Sequence, residues 1–220
     1  MEAKNGKPSE LAEAMMQYLD CECRYFPPMR DDTELYAAYL DARRDATDGG
    51  YVPMLIKVDE VLWECLIMNS DPDSDGEDDY RFDAAAVAAY RREQLSRELP
   101  DGREILKGYL SDRREEAEDD EIDWDRELVG AVEGGEKIDC FAAYRDYRSE
   151  ETAPVILAKI PVKHAFEVFA YLPFGGWNDC PGTEELMAVT KYWAERYGAW
   201  PSTMSHDELE FLLPAPVPEN

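Results

Sequence analysis

Two histidines, His164 and His206, and five cysteines, Cys21, Cys23, Cys65, Cys140 and Cys180, are the side chains here best suited to nucleophilic or metal chemistry. The run Trp177-Asn178-Asp179-Cys180, taken with Ser205-His206-Asp207, supplies a thiol, an imidazole and carboxylates, the parts of a cysteine-nucleophile site. Cys180 stands just ahead of a helix start, where the helix dipole lowers a thiol pKa. Catalysis by Cys180, His206 and Asp179 requires the thiol and imidazole within hydrogen-bond reach. The bland reading is equally concrete: Gly175 and Gly176 allow a tight turn, Asn178 and Asp179 suit one, Cys180 fills a small core space, and Ser205 or Asp207 caps a turn.

Other arrangements are weaker. His164 and His206 with Asp179 or Asp207 have the donor types of a transition-metal site but none of the spacings that mark one, so no metal is expected. Cys21 and Cys23 are too close for a zinc pair and have no second pair. Asp71-Pro72-Asp73-Ser74-Asp75-Gly76 matches the first six positions of a calcium loop, but Phe82 occupies the twelfth, where a bidentate Glu is needed, so a solvated acidic turn is expected. No Walker loop, dinucleotide fingerprint, nucleophile elbow or zincin motif occurs, and no cofactor is expected. Phe174 and Trp177, in the same loop as Asn178, are the aromatics most open to a role as binding anchors; the other late aromatics, from Phe166 to Trp200, read as core.

The elements that must position these residues follow from periodicity and caps. Ser9 caps a helix with Leu11, Met15, Met16 and Leu19 on one face, ended before Pro27-Pro28. A second starts near Asp32–Thr33 and stops at Gly49-Gly50. Residues 51–58 read as a buried strand, and Asp59 caps a short helix with Val61, Leu62, Cys65 and Leu66. Asp83 caps a helix over 84–99, Pro100-Asp101-Gly102 turns, and a further helix covers 103–118. Residues 155–161 and 166–172 read as two strands joined near Lys163–His164. Thr183 caps a helix with Leu186, Val189, Trp193 and Tyr197 inward, ended by Gly198, and 208–213 reads as a last strand. The expected fold is α+β, or α/β: a mixed sheet with flanking helices and an acidic helical insert, the helices of 59–127 forming a partly separate layer. The expected division is an acidic, helix-rich region over 1–150 and an α/β domain over 151–220.

The run from Pro154 to Val217, with FAYLPFGGWNDCP, YWAERYGA and SHDELEF as its most distinctive stretches, resembles the bacterial domain-of-unknown-function family 4253. GGYVPMLIKVDEVLWE is similar to the strand that precedes that domain. The resemblance implies a bacterial source and the fold of this region; it implies no reaction.

Charge narrows the function classes. Fifty acids against 23 Lys and Arg give a net charge of −27. Residues 151–220 hold 10 acids and 4 bases, so most of the excess lies in residues 1–150. A surface this negative repels phosphate backbones and anionic lipid, which argues against nucleic acid and membrane partners and favours a basic protein. No segment approaches the ~20 apolar residues of a membrane span and no signal sequence opens the chain; the odd cysteine count suits a reducing cytoplasm. Two readings follow: a non-enzymatic acidic interaction protein, immunity-like or regulatory, and alternatively a small enzyme using Cys180 and His206. Oligomeric state is not legible.

Overall fold

A computed structural model describes residues 6–74, 80–129, 141–146 and 148–217, the side chains of 47–49 excepted. The elements run α1 (Glu10–Leu19), β1 (Glu22–Phe26), α2 (Thr33–Gly49), β2 (Val52–Lys57), α3 (Glu60–Ser70), α4 (Ala84–Ser96), α5 (Gly102–Asp119), a π-helical turn (Trp124–Val129), β3 (Arg145–Asp146), β4 (Glu151–Thr152), β5 (Val155–Ile160), a 3-10 helix (Ala165–Ala170), α6 (Thr183–Tyr197), β6 (Trp200–Met204) and β7 (Leu209–Leu212).

Five strands form one mixed sheet in the order β1-β5-β2-β6-β7, and β3 pairs with β4 in a small ribbon. The β2–β6 pairing is parallel, with Leu55 opposite Thr203, and the other neighbours are antiparallel. Strands from either side of residue 151 therefore share one sheet, with β5 seated between β1 and β2.

Strands β2 and β5 are apolar except for Lys57 and Lys159 because both sheet faces are covered. On one face Met54, Ile56, Ile156, Ala158 and Ile160 meet Met15 and Tyr18 of α1, Trp63 and Leu66 of α3, and Val168, Phe169 and Leu172. On the other, Leu55, Val155 and Leu157 meet Leu35 and Tyr39 of α2 with Phe141 and Tyr144. The Glu210 carboxylate on β7 joins this second face together: it accepts the N–H groups of Ala142 and Ala143 at 2.9 and 3.1 Å and the Thr203 hydroxyl.

Three helix starts carry the expected side-chain caps. Ser9 Oγ accepts Ala12 N–H at 3.2 Å, Asp59 Oδ1 accepts Leu62 N–H at 3.0 Å, and Asp83 Oδ1 accepts Ala85 N–H at 2.7 Å. Other expectations need correction. Residues 166–172 are not a strand. Glu167 accepts the N–H groups of Lys163 and His164, which starts a turn, and Ala165, Val168 and Phe169 bury at a spacing of three to four rather than two. Gly182 occupies the N-cap of α6 and Thr183 is its first helical residue. The helix after Asp83 ends at Ser96, short of residue 99. Nor do the helices of 59–127 form one separate layer. α3 is core, with Leu62, Trp63, Leu66 and Ile67 buried, whereas α5 buries only Gly102 and Ala117 and lies outside α6.

Candidate functional site

The loop 173–182 is held from beneath by Asn69 at the end of α3. Its Nδ2 lies 2.8 Å from the carbonyl oxygens of both Pro173 and Gly175, and 3.0 Å from that of Cys65 one turn back on its own helix. The loop also binds itself. Gly176 N–H lies 3.1 Å from both the Cys180 and Pro181 carbonyls, Cys180 N–H donates to Trp177 O, and Trp177 Nε1 donates to Phe174 O at 2.8 Å. A β-carbon on Gly175 would lie 2.0 Å from the Pro181 carbonyl oxygen, so only glycine fits there. Gly176 and Asn178 both take positive φ, 86° and 48°, which completes the reversal.

These constraints decide where each candidate side chain goes. Phe174 is 4% exposed and packs near Phe169 in the core, so it is not an exposed anchor; the loop that Asn69 holds from beneath turns it inward. Trp177 is half-buried, with its indole N–H already engaged, and Asn178 is exposed. Asp179 is nearly bare and pairs with Arg113 of α5 at 3.2 Å. Cys180 is half-buried, and burial pushes its thiol pKa up, against a smaller lowering by the Gly176 N–H.

His206 sits elsewhere. It follows β6 and meets the end of β2, where Asp59 caps α3. Its Nδ1 is 3.3 Å from Asp59 Oδ2 and 3.6 Å from Asp207 Oδ1, and Lys57 Nζ is 3.7 Å from the same Asp59 oxygen. Ser205 closes the turn, its hydroxyl donating to Asp207 Oδ1 and accepting Glu208 N–H. Among the described residues no hydrogen bond or ion pair joins Cys180 to His206. Cys180 and Asp179 lie in the loop, and His206 lies beside Asp59 at the strand ends.

What the loop does meet is α5. Tyr109, Asp112, Arg113 and Glu116 of that helix face Asp179 and Pro181 across an open groove of about 380 Å³. Arg113 bridges it, with one guanidinium nitrogen 2.8 Å from Glu116 and another 3.2 Å from Asp179. Partial burial and the Glu185 carboxylate push the Tyr109 phenol up to about 12, so it stays a neutral donor. Asp112, Glu116 and Asp179 therefore line an open groove that the Arg113 guanidinium bridges at one side. Sequence reading singled out Asp179 but not its α5 partners, whose place depends on how α5 docks; nor did it single out Asn69, whose role depends on a loop 104 residues away.

The calcium-like run is partly seen: Asp71 is buried and its Oδ2 accepts the Asp83 N–H at 2.7 Å, which turns this carboxylate inward. Asp75 and Gly76 lie outside the described residues. Among the described residues no three potential metal ligands gather, and no helix is long and apolar enough to cross a membrane.

Against this geometry the family comparison is informative. Residues 156–220 match the model of the family described as Domain of unknown function (DUF4253). The DUF4253 segment is the one the sequence resemblance indicated, and it contributes β5, the loop, α6, β6 and β7. It also contributes Asp179 and Pro181 to the groove, while α5 comes from outside it. Comparison with curated proteins gave no match, and neither did comparison with solved structures.

Proposed function

We propose that this chain is a non-enzymatic interaction protein that receives an arginine- or lysine-bearing segment of a basic protein partner in the groove between α5 and the 176–181 loop. The observation that carries this reading is the internal guanidinium: Arg113 lies between Glu116 and Asp179 at hydrogen-bond distances, so the carboxylates are already spaced for such a group. Asp112 and the exposed edge of Tyr109 extend the same wall, the tyrosine offering a face for a cation.

The surrounding field supports it. Many bases are engaged internally, among them Arg24 with Glu34, Arg97 with Glu93 and Glu184, Arg145 with Asp32 and Lys159 with Glu22. The remaining excess of acid attracts a basic partner and speeds its approach. We take the chain to work in a reducing bacterial cytoplasm, as its odd cysteine count and its family resemblance suggest.

The test uses a short arginine-rich peptide, titrated calorimetrically at low and high salt. The triple variant Tyr109→Ala, Glu116→Gln, Asp179→Asn is expected to weaken binding ~10-fold at low salt, the scale of a few charge-assisted contacts. A control that also removes exposed carboxylates, Glu64→Gln, Glu98→Gln and Glu195→Gln, is expected to weaken it ~2-fold or less. Equal losses in the two variants would mean diffuse attraction and would sink the groove.

A further inference from the structure

Cys21 and Cys23, the pair too close for a zinc site, occupy a position with features of its own. Asp20 ends α1 in the left-handed conformation, φ 50° and ψ 45°. That turn delivers Cys21 to the start of edge strand β1, and Cys23, two residues on, falls on the same side of the strand. Both pack at the margin of the first core, both are half-buried, and their sulfurs are 3.8 Å apart.

A buried cation stands beside them. Arg91 of α4 is 7% exposed, unusual for an arginine. It lies over the rings of Tyr18 and Tyr171, 5.0 and 4.2 Å from their centroids, and donates from one terminal nitrogen to Tyr18 O at 2.5 Å. Its Nε is shielded from solvent and has no hydrogen-bond partner. Among the described residues no carboxylate pairs with Arg91, and Cys21 is within its field. The acids on this corner are Asp20 and Glu22, and Glu22 is held by Lys159 at 2.6 Å.

We propose that Cys21 and Cys23 form a redox-active dithiol, with Cys21 the attacking thiolate and Cys23 the resolving thiol. The hydrogen bond with Cys23, the Arg91 charge and the Lys159 backbone N–H lower the Cys21 pKa against the opposing pull of burial and Asp20, while the hydrogen bond with Cys21 and burial raise that of Cys23. One thiol is thus prepared to attack and the other kept protonated until needed. The oxidant is a low-molecular-weight disulfide such as oxidised glutathione. Cys21 Sγ⁻ attacks one of its sulfurs, forming a mixed disulfide and releasing one thiolate. Cys23 then attacks the Cys21 sulfur, expels the second thiolate, and gives up its proton to it. The dithiol is oxidised by two electrons, one disulfide is reduced to two thiols, and a Cys21–Cys23 bond replaces the one broken. The site shares no residue with the α5 groove, so either proposal can fail alone.

The experiment treats the full, folded, reduced chain with excess oxidised glutathione, alkylates what remains, and reads each cysteine by mass spectrometry. The expected result is a peptide bearing Cys21 and Cys23 that has lost two hydrogens and escapes alkylation, while Cys65 and Cys180 are alkylated. Cys23→Ser is expected to stop at glutathione bound to Cys21. Cys21→Ser is expected to react at least ~10-fold more slowly than Cys23→Ser. Arg91→Met is expected to slow the first step; if that variant does not fold, the two cysteine variants decide. Glutathione persisting on Cys21 of the wild type would overturn the resolving role. Equal reaction rates for the two cysteine variants, or for folded and urea-unfolded chains, would overturn the site.

Discussion

Tyr18 shows how far a single polar atom's role depends on its neighbours. Its hydroxyl lies 3.0 Å from Ser70 Oγ, and Ser70 in turn donates to Leu66 O, so the phenol is the donor in a fully buried chain. Burial pushes its pKa from 10.0 up to about 12, and burial does the same to Tyr39, which donates to Ser202. The folded state thus holds these protons above the pH at which the unfolded chain releases them. The stability contributed is fully present below pH 10 and is lost as pH rises from 10 to about 12, at roughly 1.4 kcal/mol per unit for each group. Urea unfolding followed across that range should show a falling midpoint. Tyr18→Phe should be about 1 kcal/mol less stable at neutral pH and should fall less steeply above pH 10; an unchanged slope would mean that Tyr18 does not hold its proton.

Individual residues also mark where sequence reading stops. Ser9, Asp59 and Asp83 were legible as caps because a cap is a local bargain between one side chain and an amide two or three residues on. Phe174 offered both a core and an anchor reading, and its burial is decided by where Asn69 pins the loop. Cys180 and His206 are 26 residues apart in sequence, and only the course of α6 and β6 between them determines whether they meet.

Elements repeat the lesson at larger size. Strands β2 and β5 were plain because a strand buried on both faces is a continuous apolar run. Strand β6 was missed because Pro201, Ser202 and Thr203 do not look like core. All three are nevertheless buried, the two hydroxyls engaged by Tyr39, the Trp200 carbonyl and Glu210. Strand β1, ECRYF, was lost in the break before the prolines. The 3-10 helix was read as a strand because a short aromatic run suits either until its burial spacing is known. Helix α5 was placed correctly, and its docking rests on close backbone approach: a β-carbon at Gly102 would lie 2.2 Å from the Ala188 carbonyl oxygen of α6. Gly102→Ala should therefore destabilise by about 1–3 kcal/mol despite alanine's better helix propensity. Hydrogen exchange should locate the loss in α5 and the 176–181 loop, and a variant as stable as the parent would show that the helix can shift without cost.

For the whole molecule, charge acts on stability as well as on partners. A net charge of −27 on one compact chain is self-repulsive, and added salt screens that repulsion over a Debye length of about 10 Å at 0.1 M. The Tm at pH 7 should rise by several degrees between ~10 mM and ~300 mM sodium chloride, since ~1 kcal/mol moves a chain of this size by about 2–4 °C. A flat or falling Tm would indicate that local ion pairs outweigh the general repulsion.

The seat of β5 between β1 and β2 has a consequence for how the chain is made. During synthesis β1 and β2 leave the ribosome early, and residues 58–154 must follow before the strand that bridges them arrives. At 5–20 residues per second this interval lasts about 5–20 s. Throughout it the nascent chain carries two strands whose shared neighbour does not yet exist. That waiting chain already carries most of the molecule's acidic excess, whose self-repulsion opposes association with other chains.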